Sequence, residues 1–519
     1  MIKKIGLTYL IVFAGIQFSH AQQNFNAMNS FFKDRLYHSS NRLEAYSGTS
    51  FFPITEDEYN LTYKIADTSK QYNSFSHILF QKHLLEFKGE NYYLTISPVF
   101  DFTLSKDLAD TSNRRFFQNT RGFHIEGDLM KNFSFSTSFY ENQSRNTNYQ
   151  STYYSSLGEL YVNHADSTYV TQNAVIPGAA RTKPFKVDGF DYAFAVGSLI
   201  YKPFKVLTLS AGNNTHFIGD GYRSVLLSDN GCPAPYFQAN YRFLPKWEFV
   251  YMRSKLLNLT RKPASTSVEA YYQPKGFAVN YLSFKATPTL TFSLFEGTIY
   301  SRGDSVSSHP VNALYYNPIP VLSSFLVKTS EATSLLGLNI GFTPLQNWRL
   351  YGQFAYNLSS SGIAGQIGTR ISEPFKVNNL FIQLEANYSS NNVYSATLAR
   401  LNYSHCNLPM AHIKGQGFTE GVFRINYEWK RMYADLKTIF YLLENYSSRS
   451  LLPTSAIAPQ VNASVFHNQL EVGYRFNRKM NFSIFASWLM REESTPLAPS
   501  TNFFSLGIKT GLLNQYTDF

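Results

Sequence analysis

The stretch Tyr92-Tyr93-Leu94-Thr95-Ile96-Ser97-Pro98-Val99-Phe100-Asp101-Phe102-Thr103-Leu104 alternates in character almost residue by residue. Tyr92, Leu94, Ile96, Phe100, Phe102 and Leu104 share one face of an extended chain, while Tyr93, Thr95, Ser97, Asp101 and Thr103 mostly share the other. Successive side chains of a strand point to opposite sides, so the pattern predicts a strand with one apolar and one polar face. Its length, more than about ten residues, is what a tilted strand needs to cross a bilayer.

The signal recurs along the chain. Phe123, Ile125 and Leu129 alternate with His124, Glu126 and Asp128, and Phe133, Phe135 and Phe139 follow the short connection Lys131-Asn132. Leu207, Leu209 and Ala211 stand behind Lys202-Pro203, read as a tight turn; Phe237 to Phe243 leads through Leu244-Pro245-Lys246 to Trp247, Phe249 and Tyr251. Further strands are read at Leu290 to Leu294, Leu336 to Phe342 and, across Thr343 to Asn347, Trp348 to Phe354. Leu380 to Tyr388, Phe423 to Trp429, Leu470 to Phe476, Phe482 to Met490 and Phe504 to Leu512 complete the clear cases. Weaker segments near Tyr192, Phe277, Leu398 and Leu436 bring the count to about eighteen, with sixteen or twenty as neighbouring even numbers.

Short turns such as Asn477-Arg478-Lys479 alternate with long polar stretches such as Asn142 to Thr182, Gly212 to Pro235 and Ser301 to Thr333. That asymmetry is the layout of an outer-membrane barrel. A propeller would repeat at near-constant length, and no such repeat is present. Phe519 adds a final aromatic, common in such barrels, although the alternation stops near Leu513 and leaves Asn514 to Phe519 as a short tail.

Composition agrees. Aromatics make up 17% of the chain, with 45 Phe and 37 Tyr, while charged residues make up 16%, against nearer a quarter in an ordinary soluble domain. No run of eighteen apolar residues follows the N-terminus, so helical spans are not expected. A large secreted β-sandwich is the plain alternative to a barrel. The formal charge of +11 is spread thinly without a basic block, which gives no reason to expect nucleic acid.

Lys3 and Lys4, the apolar run Ile5 to Phe18 and the small-x-small site Ser19-His20-Ala21 read as a signal peptide over 1–21. Residues 22–90 read as a small periplasmic helical element, with helix candidates at Asn24 to Glu44 and Ser76 to Leu85; residues 91–519 read as the barrel. The expected location is the outer membrane, with its lipid as an obligatory partner.

Catalytic patterns are absent: no H-E-x-x-H, no G-x-S-x-G, no Walker-type loop and no C-x-x-C. The reading is therefore non-enzymatic, without catalytic residues, metal or cofactor. One segment stands out, Gly212 to Asn230, with three glycines, two aspartates, Arg223 and Tyr222 between two strands. Glycine permits the positive φ angles that a loop folded back into a pore requires. The segment reads either as a structural plug locked by Arg223 with Asp220 or Asp229, or as a glycan-contacting surface. In the second case Tyr222 stacks on a sugar and Arg223, Asp229, His216 and Asp220 line the site. A second polar cluster runs from Asn402 to His412 and on to Glu420; His405 and His412 lack an evident third ligand, which favours a hydrogen-bonded loop over a metal site. Cys232 and Cys406 both sit beside turn residues, and whether they pair is open.

At these segments the chain resembles the Wzi-type capsule-assembly outer-membrane protein family, in particular the RemB-like gliding-motility branch of Bacteroidota. The resemblance rests on His216-Phe217-Ile218-Gly219-Asp220-Gly221-Tyr222-Arg223-Ser224 with Leu226 to Asn230, on Tyr315-Tyr316-Asn317-Pro318 and on Leu350-Tyr351-Gly352-Gln353-Phe354. It also rests on Asn402-Tyr403-Ser404-His405 with Leu408-Pro409-Met410-Ala411-His412 and Gly417-Phe418-Thr419-Glu420. It implies an eighteen-stranded barrel closed by loops that organises surface polysaccharide or supports cell-surface gliding or secretion machinery. An open solute channel of porin type is the other function to weigh. The family often carries acids after the position of Phe354, whereas this chain reads Ala355-Tyr356-Asn357.

Overall fold

A computed structural model of the chain describes residues 24–36, 50–56, 76, 83–112, 114–162, 169–261, 272–303, 311–326, 328, 330–453, 460–495 and 499–519. The signal peptide expected over 1–21 lies outside them. Eighteen strands close into one antiparallel barrel. In chain order they are β1 Tyr92–Asp107, β2 Phe116–Leu129, β3 Phe133–Arg145, β4 Gly189–Phe204, β5 Leu207–Asn214 and β6 Ala234–Leu244. There follow β7 Trp247–Arg261, β8 Tyr272–Thr287, β9 Leu290–Ser301, β10 Ala332–Leu345, β11 Trp348–Asn357 and β12 Ile363–Ser372. The last six are β13 Leu380–Ser389, β14 Phe418–Trp429, β15 Met432–Tyr446, β16 Val461–Asn477, β17 Phe482–Glu493 and β18 Thr501–Lys509. Each pairs with its neighbours in sequence, and β18 closes the ring on β1 from Phe503↔Asp107 to Lys509↔Asp101.

Side-chain alternation builds the two surfaces. On β1, Thr95, Ser97 and Val99 are buried inward while Phe102 and Leu104 are exposed outward. Leu338, Ile340 and Phe342 on β10, Leu384 on β13, Leu470 and Val472 on β16, and Phe504 and Leu506 on β18 extend the exposed apolar belt around the ring. Closure leaves no edge strand, which is the condition for spanning hydrocarbon with a sheet. No described helix is long and apolar enough to cross a membrane; the strands cross it, and the protein is an outer-membrane β-barrel.

Tight turns join the strands at one end, at 130–132, 205–206, 245–246, 288–289, 346–347 and 430–431, with Met130 and Lys430 at positive φ. Longer connections lie at the other end. In the usual layout of such barrels the short turns face the periplasm.

Several boundaries differ from the sequence reading. Lys202-Pro203 lies inside β4 and the turn follows at 205–206, while Thr343 belongs to β10. The segment near Leu398 is not a strand but part of the connection 390–417, and Ile363–Ser372 is a strand the alternation did not reveal. Gly365 and Thr369 interrupt the outward row of Ile363, Ile367 and Ile371 there, so the apolar face is broken in sequence. The two differences cancel in the count.

Within 22–90, helix α1, Ser30–Leu36, sits inside the lumen and not beside the barrel. Asp34 accepts from Arg424 Nη2 at 2.9 Å, and Arg35 pairs with Glu428. Residues 37–49 and 77–82, where both helix candidates extend, lie outside the described residues. Leu85–Lys88, at the end of the second candidate, is a strand that pairs with β1.

One sector inverts the rule of a polar interior. On β7 to β10, Val250, Met252, Val279, Tyr281, Phe295 and Leu335 point inward and are buried. They meet Val225, Leu226 and Leu227, which the connection between β5 and β6 carries into the lumen.

Candidate functional site in the lumen

The connection 215–233 enters the lumen and stays there, with nearly every residue from 215 to 232 buried. Its entry is fixed by a two-residue ladder, Phe51↔Ile218 and Phe52↔Phe217. Gly219 has φ +120, and a Cβ there would stand 2.2 Å from Gln353 Nε2. That amide is already committed: Gln353 Nε2 donates to Ile218 O at 2.8 Å, and its Oε1 accepts from Val225 N at 2.9 Å. The loop therefore turns where only glycine fits, against a wall side chain that reads its backbone.

Charge locks it further. Arg349 of β11 donates to Asp220 through Nη2 at 2.7 Å and Nε at 3.1 Å. Glu385 of β13 accepts from the backbone N–H groups of Tyr222 and Arg223 at 2.7 and 3.1 Å. Arg223 reaches Glu420 of β14 at 3.1 Å and Tyr441 of β15 at 2.9 Å. It also donates to Asp518 Oδ1 at 3.0 Å. Lys437 of β15 takes the other carboxylate oxygen of Asp518 at 2.8 Å. Burial opposes the charge of Asp518, yet Arg223 and Lys437 hold its pKa well below the ordinary value. Buried ions are tolerated only when paired and hydrogen-bonded in this way.

Asp518 belongs to a tail, 510–519, that leaves β18 and runs back up the lumen. Tyr516 donates to Asp229 Oδ1 at 2.7 Å, and Asn514 donates to Oδ2 at 2.9 Å. The Phe519 ring lies 4.1 Å from that of Tyr153 on helix α2, Asn148–Ser156, in the connection between β3 and β4.

The second polar cluster packs against the first. Ser228 N donates to Met410 O and Asn230 Nδ2 to Pro409 O, each at 2.8 Å. His412 Nε2 lies 2.7 Å from Glu420 Oε2, and burial pushes its pKa below the ordinary value although Glu420 pulls upward. His405 Nδ1 accepts from Leu257 N at 3.1 Å. Both histidines thus serve the loop, and among the described residues no three His, Cys, Asp or Glu side chains gather as a metal site. Asn357 donates its amide to Val393 O at 2.7 Å and Ser395 O at 3.0 Å. Cys232 and Cys406 are free thiols that touch within one apolar cluster.

Because these loops lean on β6 to β15, a space remains on the opposite side. It is a cavity of about 400 Å³ between α1, the tail and the walls β1 to β3 and β15 to β18, within the range of small-molecule sites, about 300–1,000 Å³. Its lining runs from Asn481 and Lys509 near the short-turn end to Arg145 and Asn146 at the other. Gln118 and Gln469 offer amides, while Asn142, also in the lining, accepts from Thr120 Oγ1 at 2.7 Å and donates to Tyr192 O at 3.3 Å; Tyr192, Phe194, Tyr222 and Tyr433 offer rings. Lys509 and Tyr433 both hold Glu471, each at 2.8 Å.

Of the five residues read from sequence as a glycan surface, Tyr222 lines this cavity, while its OH donates to Asp518 at 2.5 Å. Asp220 and Arg223 are spent on the ion pairs above, and Asp229 on the tail. His216 is packed between Phe51 and Tyr236, with ring centroids 5.8 and 4.6 Å away. Those four hold the plug in place. Gln118, Asn142 and Gln469 were not singled out from sequence, since inward polar residues of a strand look alike whether they face a plug or a cavity.

No protein-family model matches the sequence, and no curated protein matches it. Among solved structures, the chain is similar to Wzi of Escherichia coli, an outer-membrane protein involved in group 1 capsule assembly and described as a carbohydrate-binding β-barrel. The TM-score is 0.55 at 13% identity, over 93% of this chain and 98% of that one. It is also similar to OccAB4 of Acinetobacter baumannii, with TM-score 0.43 and 8% identity over 82% and 98% of the two chains. For OprD of Pseudomonas aeruginosa the TM-score is 0.41 and the identity 8%, over 80% and 94%. At these identities the similarity is one of fold.

Proposed function

We propose that the protein is a non-enzymatic barrel that binds surface polysaccharide, with the lumen cavity as its saccharide site and the interlocked loops as the plug behind it. The observation that carries this reading is the presence of amides and ring faces in the lining of one cavity: Gln118 and Gln469 with Tyr192, Phe194 and Tyr222. Sugars present hydroxyls at their edges and C–H groups on their faces, so amide donors and acceptors next to aromatic rings match them. The fold likeness to a carbohydrate-binding barrel supports it. The residue resemblance to the RemB-like branch adds a second class of partner, proteins of the cell-surface gliding or secretion machinery, which the long outer connections would meet.

The deciding experiment is binding of surface polysaccharide fragments to the detergent-purified barrel, with Gln469→Trp filling the cavity and Arg223→Ala loosening the plug. Binding lost in the first variant supports the cavity; binding untouched by it removes the cavity from the site. The lining that runs from one end of the barrel to the other favours one further reading, a narrow solute channel along β16, β17, β18, β1 and β2. Planar-bilayer recording separates the two: a steady conductance from the wild-type barrel supports the channel and sinks the plugged binder, and a silent bilayer does the reverse.

A further inference from the structure

Residues 311–326, in the connection between β9 and β10, lie on the outside of the barrel. The register shows this. Phe237 and Tyr241 of β6 are exposed outward, and Arg253 of β7 is the direct partner of Phe237. On β8, β9 and β10 the outward row passes from Phe292 and Ile340, through Leu294 and Leu338, to Glu296, Thr298 and Ser334. Asn280 stands opposite Glu296. Half-way up its outer wall, this sector changes from apolar to polar.

Residues 311–326 cover that polar strip. Arg253 donates from Nε to Tyr315 O at 2.6 Å and from Nη2 to Asn317 O at 2.9 Å. Glu296 accepts from Val321 N at 2.9 Å, Ser324 N at 3.0 Å and Asn280 Nδ2 at 2.8 Å. The Tyr300 and Tyr315 rings stack at 4.0 Å. The side turned away from the wall is apolar: Phe325 is 70% exposed, Ile319 and Leu326 56%, and Tyr316 53%.

We infer that residues 311–326 form an external flap embedded among the acyl chains of the outer leaflet, with Arg253 and Glu296 as its anchors on the barrel wall. The occupant of its apolar face is lipid because that face continues the belt formed by Leu338, Ile340 and Phe342 on the next strand. Without the flap Arg253 would keep only Met252 O, Val279 O and Asn280, and Glu296 only Asn280, so two charges would be left turned toward hydrocarbon, which is costly. The flap satisfies both with its own backbone and returns an apolar surface to the membrane. Tyr315-Tyr316-Asn317-Pro318, which the saccharide reading leaves without a task, is the part of the flap that holds Arg253.

The test uses the whole chain in phosphatidylcholine vesicles containing a trace of phospholipid with a photoactivatable diazirine on one acyl chain. After irradiation, peptide mass mapping is expected to find adducts on 319–326 at a yield comparable with Leu338 and Ile340. Labelled belt residues beside an unlabelled flap peptide overturn the inference, as does a flap peptide recovered cross-linked to a second copy or another protein. Glu296→Leu is expected to cut the flap yield several-fold while Leu338 is labelled as before; an unchanged flap yield removes Glu296 as an anchor. If that variant fails to give a heat-modifiable barrel on a gel, the wild-type mapping decides alone.

Discussion

Arg223 Nη2 donates to Asp518 Oδ1 at 3.0 Å although 295 positions separate the two residues in the chain. The contact ties the loop between β5 and β6 to the tail after β18, and a third member, Glu420, ties both to the wall. An ion bound by three elements is worth most to the protein when it is removed.

Arg223→Met leaves Glu420 and Asp518 buried with one cation fewer, which costs about 3–5 kcal/mol. Thermal unfolding in detergent is expected to shift down accordingly, with new channel openings in planar bilayers. An unchanged melting curve contradicts the locked plug.

Acid sensitivity is written into His216. Burial holds its ring down at about 3, against an ordinary value of 6.5. Between those values the unfolded chain binds a proton that the native loop refuses, so stability is full above pH 6.5 and falls as pH drops toward 3. His216→Gln is expected to flatten this part of the melting-temperature profile relative to wild type. Identical slopes for both proteins count against it.

Gly219→Ala places a methyl group where Gln353 Nε2 now sits and forces alanine to hold φ +120. The cost is about 1–3 kcal/mol for the backbone alone. The signature is increased proteolysis of the 215–233 connection in a barrel whose strands remain heat-modifiable. Resistance equal to wild type speaks against a tight turn there.

Gln469→Trp fills the cavity without touching the plug contacts. Saccharide affinity is expected to fall at least about tenfold, or about 1.4 kcal/mol, while the melting temperature stays near wild type. A variant that binds normally excludes the cavity.

The barrel was legible because the belt repeats around the ring: Tyr92 to Leu104, Leu336 to Phe342 and Leu380 to Tyr388 each display it without help from their neighbours. Ile363–Ser372 was hidden because Gly365 and Thr369 interrupt its apolar row. Phe277 gave only a weak signal for another reason: on β8 both faces are covered, the inner one by Val225 to Leu227 and the outer one by the flap. The glycines and charges of the 212–230 segment pointed to a plug or a glycan surface, but the lock read from them, Arg223 with Asp220 or Asp229, is not the one formed: Arg223 pairs with Glu420 and Asp518, and Asp220 with Arg349. Its partners were not legible, since Arg349, Glu385 and Asp518 come from distant strands and a tail, and only closure of the barrel brings them together. The cavity is the space those contacts leave, and a void has no residue pattern of its own.

The inverted sector on β7 to β10 also constrains how the protein can be made. Before the loops are seated, Val250, Val279 and Phe295 line a water-filled bore, and without the flap Arg253 and Glu296 face the membrane core. A half-finished wall of this kind is unfavourable on both of its surfaces at once. Insertion of these four strands and seating of their covers are therefore coupled events: the empty barrel is not a stopping point on the way to the filled one.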